Sequence, residues 1–599
     1  MKNNIFGESA PARQTLSKLS LLSITRIFQP KRSIVLVAIA GLLTACADMD
    51  YRETESYDRD YVVQEFSRVG GFMTDIYNTA DYDYGQTYGG AILGAATDEA
   101  QTAEMGSSID DFYNGAWSAS NSKGTMWTSM FGGISACNHF LSAMQGLTFD
   151  SYQLSPDYDQ QLYRYKNYQW EARFWRAYFY FNLVRQYGGV PLMDHEMGYE
   201  EINQLARNSS DEIFEFIFNE CDIVMENIIK DYSNLGNMAL DDAIQDGRVN
   251  NLAAMALKAR AALYWASPLF NPQEDKERWH KAALYTQQLL DACQQRGMAL
   301  TENYADLWAT TNWTDAQIKK ELIFCRRLAD ENSTFEKYNY PAGIDGGSTQ
   351  ANCPTQNLVD AYEMQATGLG INEAGSGYNP ADPYTGRDPR FEATIAKNGD
   401  TWPTAYKKAI ETFQGGANGE PLDGATPTGY YLKKYCHGAI DLRSSSKYKK
   451  DKHTWITFRL GEFYLNYAEA IYQWLGSPTA TNAEFTMSAT EAIDVVRKRA
   501  GMPNFPATLT NSNFWEKYKN ERMVELAFEG HRFWDVRRWK EADKYFKNIT
   551  QMKITKNEDE TFTYTRKTIQ RQWDDKMYLF PIPISEILKD PNLEQNPGW

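Results

Sequence analysis

Three carboxylates near the C-terminal end stand at a regular spacing. Glu521, Glu525 and Glu529 fall at i, i+4 and i+8, which places them on one helical face. Carboxylate pairs can hydrolyse glycosides, but that chemistry needs an acid and a partner flanking a cleft at a defined separation. A regular row reads differently. Like charges in succession destabilise a helix unless cations answer them, and Arg522, Arg532, Arg537 and Arg538 are close at hand. The row is therefore expected to form an ion-pair network rather than an acid–base pair. The histidines are His139, His195, His280, His437, His453 and His531, and none forms HxH or HExxH. Asp194-His195-Glu196 is a weak metal motif in an expected loop, so no metal site, cofactor or catalytic residue is expected. Neither a phosphate-cradling loop nor a dinucleotide fingerprint is present.

What remains is the chemistry of contact. Sixteen Trp, 38 Tyr and 29 Phe make up 14% of the chain. Sugar rings present C–H faces that stack on aromatics and hydroxyl rims that bond to amides and acids. Two loop regions offer that mixture. One is Asp81 to Tyr88, with Tyr82, Tyr84 and Tyr88, together with Asp110 to Asn114, which holds Phe112 and Tyr113. The other is Tyr304 to Trp313, with Trp308 and Trp313, together with Tyr338 and Tyr340. These nine aromatics are the candidate ligand contacts, each weighed against ordinary packing. Trp117 and Trp127 are expected in the core.

These loops need a scaffold, and the hydrophobic spacing predicts one made of paired helices. Expected helices run over Thr125–Gln145, Leu162–Tyr187, Ser210–Lys230, Leu252–Ser267 and Trp279–Gln295, with a later group over Leu460–Trp474, Ala489–Arg499 and Phe514–Phe528. Ser210 is the expected N-cap of the third, Gly188-Gly189 should stop the second and Pro268 the fourth. Small residues at the contacts resemble tetratricopeptide-type pairing. Gly461 is weak helix material. In Arg173, Arg176 and Arg185 the stems should pack and the heads find carboxylates. Between Thr301 and Thr454 glycine and proline break the pattern, and such long irregular stretches are usually functional or disordered.

The chain has 599 residues, with 61 basic and 78 acidic side chains and a net charge of −17. That balance argues against a phosphate-tracking nucleic-acid binder, and a mean hydropathy of −0.57 is too polar for a multi-span membrane protein. Ile34–Ala45 is an apolar run after Lys31-Arg32, suited to a signal peptide. It closes on Leu43-Thr44-Ala45-Cys46, which resembles a bacterial lipobox and makes Cys46 the expected lipidated residue. The other six cysteines are widely spaced without zinc spacing; in an exported protein they permit disulfides in any of fifteen pairings, but buried free thiols are the favoured expectation.

Lys258-Ala-Arg260 with Leu263-Tyr264, and a series of strings in order along nearly the whole mature chain, resemble the SusD/RagB family of Bacteroidetes outer-membrane lipoproteins. They include Thr97-Asp-Glu99, Asn138-His-Phe-Leu141, Glu171-Ala-Arg-Phe-Trp-Arg-Ala-Tyr-Phe-Tyr-Phe181 and Pro354-Thr-Gln-Asn-Leu-Val-Asp-Ala-Tyr-Glu363. Arg387-Asp-Pro-Arg-Phe391, Phe458 to Ala470, Val496 to Pro503, Glu521 to Trp539 and the closing Asn596-Pro-Gly-Trp599 follow in order. The resemblance implies a mainly α, tetratricopeptide-like fold with a large loop-rich region. It divides the chain into a signal peptide (1–45), a lipidated Cys and tether (46–60), an N-terminal helical region (61–300), a loop-rich ligand-facing region (301–454) and a C-terminal helical region (455–599). It further implies a non-enzymatic surface lipoprotein anchored in the outer membrane and facing the cell exterior. Such a protein binds an oligosaccharide or polysaccharide and delivers it to a SusC-like TonB-dependent transporter. The alternatives are a RagB-like peptide-binding protein and, less favoured, a lipid-anchored glycoside hydrolase.

Overall fold

Side-chain caps start several of the helices in this computed structural model, which describes residues 59–599 apart from 81–87, 241–246, 310–315, 328–330, 444–448 and 507–508. The leader, Cys46, and the aromatic candidates Tyr82, Tyr84 and Trp313 lie outside the described residues. The long helices are α1 (Phe66–Thr79), α2 (Trp127–Ala143), α3 (Tyr158–Tyr187), α4 (Ser210–Asn227), α5 (Asn251–Ala266) and α6 (Lys276–Gln295). Each from α2 to α6 packs on the next, and α1 lies against α2 and α3. This is the helical-pair scaffold expected from the spacing. The cap of α4 is Ser209 rather than Ser210, because Ser209 Oγ accepts from the Glu212 N–H while the Glu212 carboxylate reaches back to the Ser209 N–H. Asn250 caps α5 one residue ahead of its apolar run, and Gly188 ends α3 at φ 73°.

Along α3 nearly every side chain from Glu171 to Tyr187 is buried, so its aromatics are core. Arg173 and Arg176 both meet Glu220, at 2.7 and 2.8 Å, as their buried stems require. Arg185 differs: its guanidinium lies 4.5 Å over the Trp534 ring. Trp117 and Trp127 are both core residues.

The middle of the chain is held by short strand pairs rather than by a sheet. Antiparallel pairs form between β1 (Ala100–Thr102) and β3 (Asn352–Pro354), between β2 (Leu322–Arg327) and β6 (Thr454–Arg459), and between β4 (Ile395–Ala396) and β5 (Tyr431–Leu432). A six-residue helix, α7 (Thr334–Asn339), sits among them. The C-terminal part adds α8 (Leu460–Leu475), α9 (Ala489–Arg499), α10 (Asn511–Glu525) and α11 (Arg532–Arg538). It also holds a hairpin of β7 (Asn548–Lys556) and β8 (Phe562–Gln570), which the helical pattern did not foretell. The six described cysteines are buried free thiols.

The glutamate row does form an ion-pair lattice, but with partners other than those nearest in sequence. Glu521 meets Arg390 and Arg497 at 2.6 and 2.7 Å. Glu525 meets Arg390 and Arg459 at 2.9 and 2.7 Å, and Arg499 as well. Glu529 meets Arg459 and Lys434 at 2.7 and 2.8 Å. The expected partners turn elsewhere: Arg522 to Asp535, Arg532 to Asp98, Arg538 to Glu469, and Arg537 onto the Phe533 ring. The reason is directional. These arginines leave the helices on faces that point away from the glutamate row, and buried charges take whichever partner the tertiary fold brings within reach.

Candidate functional site

The two loop regions nominated by their aromatics meet at α7. This helix turns Phe335, Glu336 and Asn339 inward and leaves Tyr338 half-buried at its outer edge. Against that edge runs the chain at Gly89-Gly90. Gly90 has φ 113°, and a Cβ there would stand 2.7 Å from the Tyr338 ring, so only glycine lets the backbone lie on the aromatic face. Asn352 fixes this foot of the loop. Its Oδ1 accepts from the Ile92 N–H at 2.9 Å, and its Nδ2 donates to the Gly90 carbonyl and to Asn339 Oδ1, both at 2.8 Å. The backbone at Gly89-Gly90 is thereby held against Tyr338. From the other side, a path of rings runs from Trp308 to Tyr435 (4.9 Å) and on to Phe335 of α7 (6.3 Å).

Four of the nominated aromatics present no face to solvent. Tyr88 and Phe112 are buried edge-to-face against one another, and Phe112 also packs on Trp117, Phe533 and Phe580. Trp308 is 3% exposed and covered by the Lys434 ammonium 3.8 Å from its ring centre. Tyr340 is fully buried, with its hydroxyl 2.8 Å from the His437 carbonyl and 3.0 Å from that of Ile440. Tyr88, Phe112 and Tyr340 are packing residues rather than contacts, while Trp308, though packed, lines the cavity beside Tyr304; loop position alone says nothing about which way a ring points. Tyr113 is half-buried, bonded to Asp110 and faced by the Arg571 guanidinium at 4.0 Å. Burial pushes its hydroxyl well above the usual tyrosine range.

Two cavities of ligand size adjoin these regions. One, of about 570 Å³, lies between Tyr304, Trp402, Glu302, Asn303, Glu392 and Lys433. Trp402 was not singled out by sequence, and the Lys433 ammonium stands 5.6 Å from its ring centre. The other, of about 590 Å³, lies beside Tyr113 and is lined by Trp117, Arg571, Gln572, Trp573 and Lys576. Both mix aromatic walls with amides and charges, a composition suited to a polar ring ligand.

The glutamate row offers no acid–base pair to either cavity. Despite the opposing effect of burial, Arg390 and Arg497 hold Glu521 below the usual carboxylate range, and Arg459 with Lys434 does the same for Glu529. His195 lies exposed beside Asp194 and Glu201, at 2.6 and 3.6 Å. Among the described residues no helix is long and apolar enough to cross a membrane.

Comparison with known proteins gives the same answer along the chain. The SusD family model matches residues 320–599, and a second, described as starch-binding associating with outer membrane, matches residues 50–263. A SusD-like protein of Bacteroides ovatus is 23% identical, with 96% of this chain and 98% of that protein covered. The crystal structure of a SusD-like protein from Bacteroides fragilis is 26% identical and superposes with a TM-score of 0.71, covering 91% of this chain and 99% of that one. A SusD-like carbohydrate-binding protein from the same organism, 21% identical, superposes at 0.68 over 89% of this chain and all of the other (100%). With the ordered sequence strings, the paired-helix scaffold and these matches in hand, the chain belongs to the SusD/RagB family.

Proposed function

We propose that this protein is a surface lipoprotein that captures an oligosaccharide or polysaccharide at the α7 rim and passes it to a SusC-like TonB-dependent transporter. The observation that carries the reading is the seating of Gly90 on Tyr338. It sets the chain that follows the Asp81–Tyr88 region against the outer edge of α7, above a packed support. Capture there is non-covalent: rings stack on Tyr338 and on the loop tyrosines Tyr82 and Tyr84, while neighbouring amides bond the hydroxyls. The carbohydrate-binding relative supports the ligand class. The arginine-locked glutamates support binding without turnover, since a general acid must hold its proton near the working pH. Anchoring at Cys46 in the outer membrane, facing outward, completes the proposal.

The test is calorimetric titration of the purified protein against a panel of polysaccharides and peptides, with each mixture assayed for released product. Saturable glycan binding without product, weakened about tenfold or more by Tyr338→Ala through lost stacking, is the expected result. Binding of peptides alone would move the protein to the peptide-binding branch of the family. Product release would overturn the non-enzymatic reading.

A further inference from the structure

Below the Tyr338 rim, the inward face of α7 carries the carboxylate of Glu336, which is fully buried. Its Oε1 accepts from the His437 N–H at 2.8 Å and lies 2.8 Å from Nε2 of His453, the residue just before β6. The two imidazoles lie face to face, with ring centres 4.4 Å apart. Glu336 Oε2, His437 Nδ1 and His453 Nδ1 are all buried without a hydrogen bond. Asp451 adds a second carboxylate, with Oδ2 3.5 Å from His437 Nδ1. Among the described residues no Lys or Arg forms an ion pair with Glu336 or Asp451, whereas the carboxylates of the glutamate row each meet arginine or lysine.

Glu336 Oε2 and His453 Nδ1 are left without a partner in this buried cluster and His437 Nδ1 has only the Asp451 carboxylate at 3.5 Å, an under-satisfied set of polar groups that an ion would complete. One ligand atom from each of Glu336, His437 and His453 falls within 4.8 Å of the others. A tetrahedral zinc site has ligand edges of roughly 3.3 Å, so rotation of buried side chains, with His437 tilting out of the ring stack, closes the gap. We propose that Glu336, His437 and His453 form a binding site for a divalent transition-metal ion, zinc fitting the two-nitrogen, one-oxygen donor set best. Calcium and magnesium prefer all-oxygen shells. With His437 ligating through Nε2, Asp451 stands at its Nδ1, where a carboxylate orients a ligating imidazole. The ion ties α7 to the segment after β5 and to the start of β6, and so steadies the rim from beneath. The site is independent of which ligand the rim takes.

The test uses the purified protein, stripped by chelator and dialysed, then titrated separately with zinc chloride and calcium chloride. The expected result is one zinc per chain by calorimetry and elemental analysis, and a visible four-coordinate spectrum on cobalt(II) substitution. His139→Ala and His195→Ala, which remove exposed His–carboxylate pairs, leave that stoichiometry unchanged. Glu336→Gln, which keeps the acceptor for the His437 N–H, and His453→Gln each weaken zinc by about 100-fold or more. Failure of the unaltered protein to bind zinc, preference for calcium, or retention of zinc by a folded Glu336→Gln variant would overturn the assignment. Circular dichroism in chelator establishes folding of each variant, and Glu336→Gln alone decides the matter if His453→Gln does not fold.

Discussion

Replacing Gly461 by alanine sets two well-known effects against each other. Position 461 lies in the first turn of α8, where alanine is intrinsically better than glycine by about 1 kcal/mol. The added Cβ, however, would overlap Nη1 of Arg459 and stand 3.1 Å from both Glu321 Oε1 and Glu525 Oε1. Arg459 has nowhere to retreat. Its Nε donates to Glu529, its Nη1 to Glu321 and Glu525, and its Nη2 to the Glu525 carbonyl and to Glu529, all between 2.7 and 3.0 Å. Those five bonds use every donor a guanidinium has. Moving Nη1 uncouples it from two buried carboxylates, and breaking a buried pair costs about 3–5 kcal/mol. The expected net loss for Gly461→Ala is about 2–4 kcal/mol, read by urea unfolding of parent and variant under one set of conditions. In an Arg459→Lys background, where no guanidinium terminus fills that space, the same alanine costs less than about 1 kcal/mol. Unfolding free energy in Gly461→Ala equal to or above the parent's would refute the argument, because propensity alone would then have decided the outcome.

Three further outcomes follow from the structure. Burial pushes the Glu99 carboxyl from its ordinary 4.5 up to about 7, so the folded chain holds a proton that the unfolded chain releases near 4.5. Its contribution to stability is present below pH 4.5 and lost as pH rises to about 7, roughly 3 kcal/mol in all. Glu99→Gln should therefore gain that amount relative to the parent between pH 4.5 and 7.5; a flat difference across the range would disprove it. Gly90→Ala forces the Tyr338 ring to move and should weaken ligand binding about as much as Tyr338→Ala, while leaving zinc binding intact; an unchanged affinity would remove Tyr338 from the proposed site. Burial raises the thiol pKa at Cys137, Cys221, Cys293, Cys353 and Cys436. A thiol reagent should thus find none of the six cysteines after Cys46 in the native protein and all six on denaturation, and a seventh only where Cys46 carries no thioether.

The scaffold was largely legible from spacing. The runs now seen as α2 to α6 and α8 to α10 carry local signals, helical periodicity and cap residues, that act within a few positions. The errors there are shifts of a few residues, as with Ser209 displacing Ser210. The charge row was legible as a network but not in its wiring, because Arg390 and Arg459 lie 131 and 70 residues from the glutamates they meet. The candidate site was legible only as regions. Tyr338 in α7 and Tyr340 just past its end are two residues apart, yet one edges the surface while the other is sealed within, and only the fold around α7 distinguishes them. The histidine cluster left no trace in spacing, since Glu336, His437 and His453 come from three separate segments.

The lattice around the glutamate row also bears on when this chain can fold. Arg390 waits 135 residues for Glu525, Lys434 waits 95 for Glu529, and Asp98 waits 434 for Arg532. A polypeptide made from its N-terminus presents the waiting charges long before their counterparts exist, and a lone charge cannot be buried at tolerable cost. The interior that holds Arg390, Lys434 and Arg459 therefore stays hydrated until the last fifth of the chain has been made. Contacts of such long sequence separation are also slow to form. The interior around the row thus closes only after α10 has been made.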